Sequence, residues 1–244
     1  MNTSQKIALV TGATRGIGRE TVRQLAEAGA LVLLAGRDED RTKAAATALQ
    51  GEGLAVEPIV LDVTRTDSIA KAVADVTSRF GRLDILVNNA GILLDDMGKA
   101  PSEQTLKTWR ETFDTNVFAV VEVTQAFLPL LKAAPAARIV NVSSQLGSVT
   151  LHTDPTSSIY AFKVPAYNVS KSAVNAWTVH LAYELRDTPI KVNAIHPGYV
   201  QTDMNGGHGE IDVPTGAKSS VGMALLGDDG PTGTFTYLGK TLPW

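Results

Sequence analysis

A three-layer α/β fold on one doubly wound parallel sheet is the architecture that this 244-residue sequence predicts, and three observations carry the prediction. Seven short β-branched or aliphatic runs alternate with longer stretches of helical period. The runs are almost continuously apolar, as in Ile85-Leu86-Val87 and Arg138-Ile139-Val140-Asn141-Val142, which is the pattern of strands covered by helices on both faces. A glycine cluster, Thr11-Gly12-Ala13-Thr14-Arg15-Gly16-Ile17-Gly18, joins the first run to the first helical stretch.

In chain order, strands are expected at Lys6–Thr11, Leu31–Ala35, Ala55–Leu61, Asp84–Asn88, Ala137–Val142, Ile190–Ile195 and Thr234–Leu238. Helices are expected at Arg19–Ala28, Asp38–Leu49, Ser68–Arg79, in a long segment after Trp109 that holds Asn116, and at Tyr167–Arg186, where apolar residues recur at helical spacing. No linker or fixed-period repeat interrupts them, so the expectation is a Rossmann-type, seven-stranded parallel sheet in a single domain over residues 1–244. Two stretches break the rhythm, Gln145–Ala166 and the glycine-rich Gly206–Gly216, and the second reads either as a mobile lid or as a disordered connection without function. Both follow the carboxyl ends of strands, where open α/β sheets bind ligands.

Composition narrows the chemistry. With no cysteine there are no disulfides, thiolate nucleophiles or Cys-ligated zinc, and the four histidines are scattered without a metal-binding spacing, so no metal is expected. A net charge of −3 provides no global field for nucleic acid or an anionic membrane. The polar start, Met1 to Lys6, and an apolar run that breaks at Thr11-Gly12 are too short for a signal peptide or membrane span, which predicts a soluble, cytoplasmic protein.

The glycine cluster has the form Gly-x-x-x-Gly-x-Gly, distinct from the general Gly-x-Gly-x-x-Gly dinucleotide fingerprint. Glycines there let the backbone turn sharply and approach a pyrophosphate, while the helix N-terminus offers free N–H groups and the positive end of its dipole. Further motifs follow in order: Asn88-Asn89-Ala90-Gly91, Asn116, Val142-Ser143-Ser144, Tyr167-x-x-x-Lys171, and Pro197-Gly198 with Thr202. This set resembles the short-chain dehydrogenase/reductase family across almost the whole chain, and the long Gln145–Ala166 connection with His-Pro-Gly-Tyr-Val-Gln-Thr-Asp-Met resembles its carbonyl-reductase branch.

The resemblance implies cofactor contacts by Gly12, Thr14, Arg15, Gly16, Ile17 and Gly18, by Asp62 and Val63 at the adenine, by Asn89, Ala90 and Gly91, and by Pro197, Gly198, Val200 and Thr202 near the nicotinamide. Asp62 reads equally as a strand-end cap for the next helix, and Asn88 as a structural residue. At the tip of the second strand an acid holds a ribose 2′-hydroxyl, whereas arginine accommodates a 2′-phosphate. Here Gly36 stands where the acid is expected and Arg37 follows, so NADP(H) is favoured, with Arg15, Arg37 and Arg41 converging on the phosphate. Asp38 opposes this, and reads instead as the N-cap of the following helix.

Tyr167 and Lys171 are four residues apart on one helix face. A free tyrosine titrates near pH ~10, and a neighbouring ammonium is expected to lower that value. The alternative pair, Tyr160 with Lys163, has a spacing of three ahead of Pro165 and does not match the family pattern. Of Ser143 and Ser144, only one faces the site because strand side chains alternate. The resemblance selects Ser144 to hold the substrate oxygen, Lys171 to hold the nicotinamide ribose as well, and Asn116 to bend its helix and hold a water. The implied activity is NADPH-dependent reduction of a ketone or aldehyde, reversible toward alcohol oxidation. A 3-oxoacyl thioester reductase and a non-catalytic NADP sensor are the alternatives. Leu93, Leu94, Gln145, Leu146, Phe162, Tyr199 and Met204 are candidate pocket walls, His196 reads as structural, and both monomer and homo-oligomer stay open.

Overall fold

The structure, a computed structural model, describes residues 5–244. The polar residues Met1–Ser4 noted above lie outside the described residues. Strand β1 (Ile7–Val10) leads through the glycine cluster into α1 (Gly16–Glu27), and β2 (Leu31–Gly36), α2 (Glu39–Gln50), β3 (Val56–Val60), α3 (Thr66–Phe80) and β4 (Ile85–Asn88) complete the first half. The second half comprises α4 (Leu106–Phe113), α5 (Ala119–Ala133), β5 (Arg138–Val142), a short α6 (Val149–Thr153), α7 (Pro165–Glu184), β6 (Lys191–Ile195), α8 (Val213–Ala224), β7 (Phe235–Tyr237) and β8 (Lys240–Thr241).

All seven expected strands form, and they pair in the order β3-β2-β1-β4-β5-β6-β7 in parallel. An eighth corrects the expectation of a seven-stranded parallel sheet. β8 returns antiparallel to β7 with Tyr237 opposite Lys240, through a two-residue turn at Leu238 and Gly239 whose φ values are 46° and 80°. Two left-handed residues are what such a hairpin requires, and Leu238 is a poor sequence signal for one because the preferred residue there is Asn, Asp or Gly. The strand has two exposed residues, too few to show a period.

Alternate residues of each inner strand feed opposite core layers. Ile7 and Leu9 pack with Val123, Phe127 and Leu181 from α5 and α7, whereas Ala8 and Val10 pack with Val22, Leu25 and Met223 from α1 and α8. Burial on both faces explains why the strands read as continuous apolar runs. α4 and α5 form one rod, Leu106–Ala133, long and apolar enough by length and composition to cross a membrane. Its apolar residues Val123, Phe127, Leu130 and Leu131 lie in the protein core.

Strand order reverses between β1 and β4, so the loops after these two strands diverge and leave a crevice at the carboxyl edge. The glycine cluster and Asn88–Gly91 occupy those two loops. The two irregular stretches also fall on this edge, and both are more ordered than the sequence suggests. Gln145–Ala166 contains a 3-10 turn (Gln145–Gly147) and α6, and α7 already starts at Pro165. In the glycine-rich stretch, Asp212 accepts a hydrogen bond from the Thr215 N–H at 2.9 Å and starts α8, so Gly216 is a buried helix residue and no part of a loop. Residues 206–212 are tied down at one end, where Val200 and Ile211 form a parallel bridge.

Candidate active site

The glycine cluster is built for close backbone approach. Gly12 has φ 62°, and a Cβ there would lie 2.8 Å from the Ala90 Cα, so only glycine lets the first loop touch the loop after β4. A Cβ on Gly18 would meet the Asn89 Nδ2 at 2.4 Å. That amide donates to the Thr11 and Gly12 carbonyls at 2.8 and 3.1 Å, while the Thr11 hydroxyl accepts from the Asn89 and Ala90 N–H groups at 3.0 Å each. The result is a stitched cradle at the start of α1. Arg15 at its N-cap provides no side-chain cap and no acid occupies the first turn, so the leading N–H groups and positive dipole end stay available to an anion.

The end of β2 has no room for an acid. A Cβ on Gly36 would lie 2.4 Å from the Thr42 Oγ1 and 2.5 Å from the Thr14 Cγ2. Asp38 is the N-cap of α2, accepting from the Arg41 N–H at 2.9 Å, as expected. Arg37 and Arg41 are exposed and form no ion pair among the described residues. Convergence of three arginines is not what the structure has: Arg15 turns across the crevice to Asp203 at 2.9 Å. Both partners are largely exposed, so this pair contributes at most about 1 kcal/mol. Beside it, a Cβ on Gly16 would be 3.9 Å from the Thr202 Cγ2, which places the segment after β6 against the cluster. Within that segment Gly198 has φ 96° and packs on Ile211, Val200 is buried, and Tyr199 and Met204 are exposed.

Asp62 does not cap α3, whose N-cap is Arg65. Its carboxylate instead accepts from the Thr64 N–H and hydroxyl at 3.0 and 2.7 Å, a local turn after β3, while Val63 is a core residue. Asn88 is structural: its amide donates to the Thr124 hydroxyl at 2.9 Å and to the side-chain Oδ1 of Asn141 at 2.8 Å, and the Asn141 side chain in turn donates to the Thr178 hydroxyl.

The residues of the expected catalytic group come together. Tyr167 and Lys171 are buried in the first turns of α7, with the Lys171 Nζ 5.6 Å from the phenol ring centroid. Ser144, at the end of β5, hydrogen-bonds the Tyr167 hydroxyl and accepts from the Leu146 N–H at 3.1 Å. Ser143 points the other way, donating to the Lys171 carbonyl at 3.3 Å. Lys171 donates to the Val142 carbonyl at 2.8 Å. Asn116 lies in a π-helical turn, Asp114–Phe118, between α4 and α5. Its side chain accepts from the Ile92 N–H at 2.8 Å and donates to the Ile92 carbonyl at 2.9 Å and to Ser170 at 3.0 Å. The amide of Asn116 is thereby committed to protein groups.

Electrostatics depart from the sequence expectation. Burial pushes the Tyr167 phenol up to about 12, with the Ser144 hydrogen bond opposing it, and burial pushes the Lys171 ammonium down to about 8. Desolvation disfavours both charged forms and dominates at both groups, so the phenol is raised where the lysine was expected to lower it. At neutral pH the pair is a neutral phenol beside a protonated amine. The competing pair, Tyr160 and Lys163, is engaged elsewhere: Lys163 donates to the His152 Nδ1 at 3.1 Å and sits over the exposed Tyr160 ring. Leu94 and Phe162 are half-exposed, Leu93, Gln145 and Leu146 are partly buried, and no cluster of metal-binding side chains occurs among the described residues.

Two residues of the site carry no sequence signal. A Cβ on Gly147 would strike the Lys171 carbonyl carbon at 2.7 Å, so this glycine lets the loop after β5 lie on α7. Asp95 accepts from the Ala166 and Tyr167 N–H groups at 2.8 and 3.0 Å. Both depend on contacts between segments distant in the chain.

Known proteins resemble this chain in sequence and in fold. Short-chain dehydrogenase anuI of Penicillium roqueforti is 37% identical over 230 residues, covering 92% of this chain and 90% of the relative. (+)-Neomenthol dehydrogenase of Capsicum annuum is 31% identical over 304 aligned positions, covering 96% of each chain. The crystal structure of NADPH-bound carbonyl reductase from chicken fatty liver is 30% identical and superposes with a TM-score of 0.85, covering 98% of this chain and 99% of that one. The short chain dehydrogenase family matches residues 6–211, from the first strand to the edge of α8, and on that match this chain belongs to the short-chain dehydrogenase family.

Proposed function

We propose that this chain, as one domain over residues 1–244, is an NADPH-dependent reductase of ketones or aldehydes that also runs toward alcohol oxidation. The observation that carries the reading is a buried, neutral phenol hydrogen-bonded to Ser144 and backed by Lys171, beside an uncapped glycine cradle.

The cradle fits the cofactor: Gly12, Thr14, Arg15, Gly16, Ile17 and Gly18 surround the first N–H groups of α1, where a pyrophosphate belongs. Arg37 and Arg41, with Arg15 on release from Asp203, would hold the 2′-phosphate, and the steric closure at Gly36 excludes the acid that would select a free 2′-hydroxyl. Asp62 and Val63 would border the adenine, and Asn89, Ala90, Gly91, Pro197, Gly198, Val200 and Thr202 the nicotinamide half. When bound, NADPH supplies a hydride for the carbonyl carbon.

The chain's own residues manage the oxygen and the proton. Ser144 donates its hydroxyl to the substrate oxygen and holds it near Tyr167. Because its pKa is held near 12, Tyr167 stays protonated at neutral pH and donates its proton to the oxygen as negative charge develops there. The Lys171 ammonium lies beside the resulting phenolate, stabilises it and returns a proton. Asn116 donates to Ser170 next to Lys171, and a water held at the π-helical turn would link the lysine to solvent. Leu93, Leu94, Gln145, Leu146, Phe162, Tyr199 and Met204 line the approach, a wall that favours apolar carbonyl compounds.

The test is NADPH oxidation across a panel of small ketones, bulky alicyclic ketones, aldehydes and 3-oxoacyl thioesters. Turnover of free carbonyls is expected, with Tyr167→Phe losing about 10²–10⁴-fold in kcat while retaining NADPH affinity. Near-normal turnover by the folded variant would refute the assignment of the proton donor. Preference for thioesters moves the substrate class to carrier-linked acyl groups, and NADPH binding without turnover of any compound points to the non-catalytic sensor.

A further inference from the structure

Helix α7 carries Tyr167 and Lys171 but cannot cap its own N-terminus. Val164 stands at the N-cap with no side-chain acceptor, and Pro165 follows without an N–H. The next two donors are the N–H groups of Ala166 and Tyr167, whose residues are 0% and 8% exposed. Left unmet in that setting, each costs about 1–3 kcal/mol. One carboxylate takes both. Asp95, itself 8% exposed and 71 residues before Ala166, accepts from Ala166 through Oδ1 at 2.8 Å and from Tyr167 through Oδ2 at 3.0 Å. Its charge also faces the positive end of the α7 dipole.

Asp95 ends a strip of chain that is gripped along its length. Asn89 holds the glycine cluster, Ile92 is clamped on both backbone groups by Asn116, and Asp95 holds the backbone of Tyr167. The same Asn116 amide reaches Ser170, one residue before Lys171. Three segments far apart in sequence thus meet on residues 89–95.

We infer that Asp95 is a positioning residue: by bonding the Ala166 and Tyr167 N–H groups it fixes the first turn of α7 relative to the strip that carries the cofactor loop, and so sets where the Tyr167 hydroxyl meets the substrate oxygen. The inference rests on Tyr167 being the proton donor. A displacement near 1 Å at a reacting group costs on the order of 10²-fold in rate, and Pro165 has no N–H with which to re-form the turn.

The experiment compares the full-length wild type with Asp95→Ala and Asp95→Asn, the second keeping one acceptor oxygen and the side-chain shape. Expected for Asp95→Ala are a fall in kcat of about 10–100-fold, an NADPH Kd within about twofold of wild type, and an increased solvent isotope effect on kcat as proton transfer from a misplaced phenol becomes limiting. Asp95→Asn should recover at least about a third of the lost catalytic free energy. Amide exchange at Ala166 and Tyr167 should accelerate at least about tenfold in Asp95→Ala, or in Asp95→Asn if the alanine variant does not fold, with the β-strand amides unchanged. A kcat within twofold of wild type in both variants, kcat and NADPH affinity falling together, or Asn rescuing nothing would each overturn the inference. If the wild type reduces no carbonyl, it is the proton-donor reading that fails. Amide exchange then decides the contact separately, and unchanged protection at Ala166 and Tyr167 overturns it.

Discussion

Acid should weaken this protein through one buried histidine in particular. His196 closes β6, is 6% exposed, packs its ring 5.2 Å from that of Tyr237, and leaves its Nδ1 without a partner among the described residues. Burial therefore holds the imidazole neutral and pushes its pKa from 6.5 down to about 4. Between those values the unfolded chain binds a proton at His196 and the folded chain does not. Stability then rises with pH across the window, and is lost as pH falls from 6.5 toward 4. Integrated from pH 7 to pH 4.5, the loss from this residue is about 2 kcal/mol. With a urea dependence of about 2–3 kcal/mol per molar, that moves the unfolding midpoint by about 1 M. The assay is urea unfolding of wild type and His196→Asn at both pH values, followed by circular dichroism, because carboxylates common to both chains cancel in the difference. Wild type should lose about 2 kcal/mol more than the variant. Losses equal to within about 0.5 kcal/mol would show that His196 is not held neutral, and the argument from burial would fail.

Lys171→Met removes an ammonium pushed down to about 8, whose burial penalises the fold below that pH and is relieved as pH rises toward 10.5. Relative to the variant, wild type should therefore gain about 2 kcal/mol between pH 7 and 9.5 in denaturant unfolding; a constant gap contradicts the shift. Gly147→Ala drives a Cβ to 2.7 Å from the Lys171 carbonyl carbon. Overpacking of this kind costs about 1–3 kcal/mol, so the melting temperature should fall by several degrees together with kcat, and an unchanged protein would show that the loop does not bear on α7. Arg37→Ser should raise the NADPH KM by at least about tenfold while leaving the NADH KM within twofold, measured by steady-state kinetics; equal effects on both cofactors would remove Arg37 from the 2′-phosphate. Asp203→Asn frees Arg15 from an exposed pair, so melting should shift by less than about 2 °C at low salt.

The alternation of apolar runs with helical stretches determined the layers, the seven parallel strands and the loops that carry the chemistry, because strand and helix periods are local and a buried parallel sheet leaves no polar alternation to confuse them. The spacing of Tyr167 and Lys171 was equally local: four residues on a helix put two side chains on one face wherever the helix goes. Other features were decided only in three dimensions. That the phenol is raised and not lowered depends on how completely α7 is covered, since desolvation raises it and outweighs the opposing hydrogen bond from Ser144. Arg15 points to Asp203, 188 residues away, and this partnership has no trace in the glycine motif. Gly147 is glycine because α7 lies against it, and Asp95 is buried because α7 lacks a cap, so their roles belong to pairs of segments and not to either alone. β8 was hidden by its length, since two residues cannot display a period. What the sequence determines unaided is which residues repeat along one segment; packing decides which segments meet, and with it the proton affinity and placement of the groups in the site.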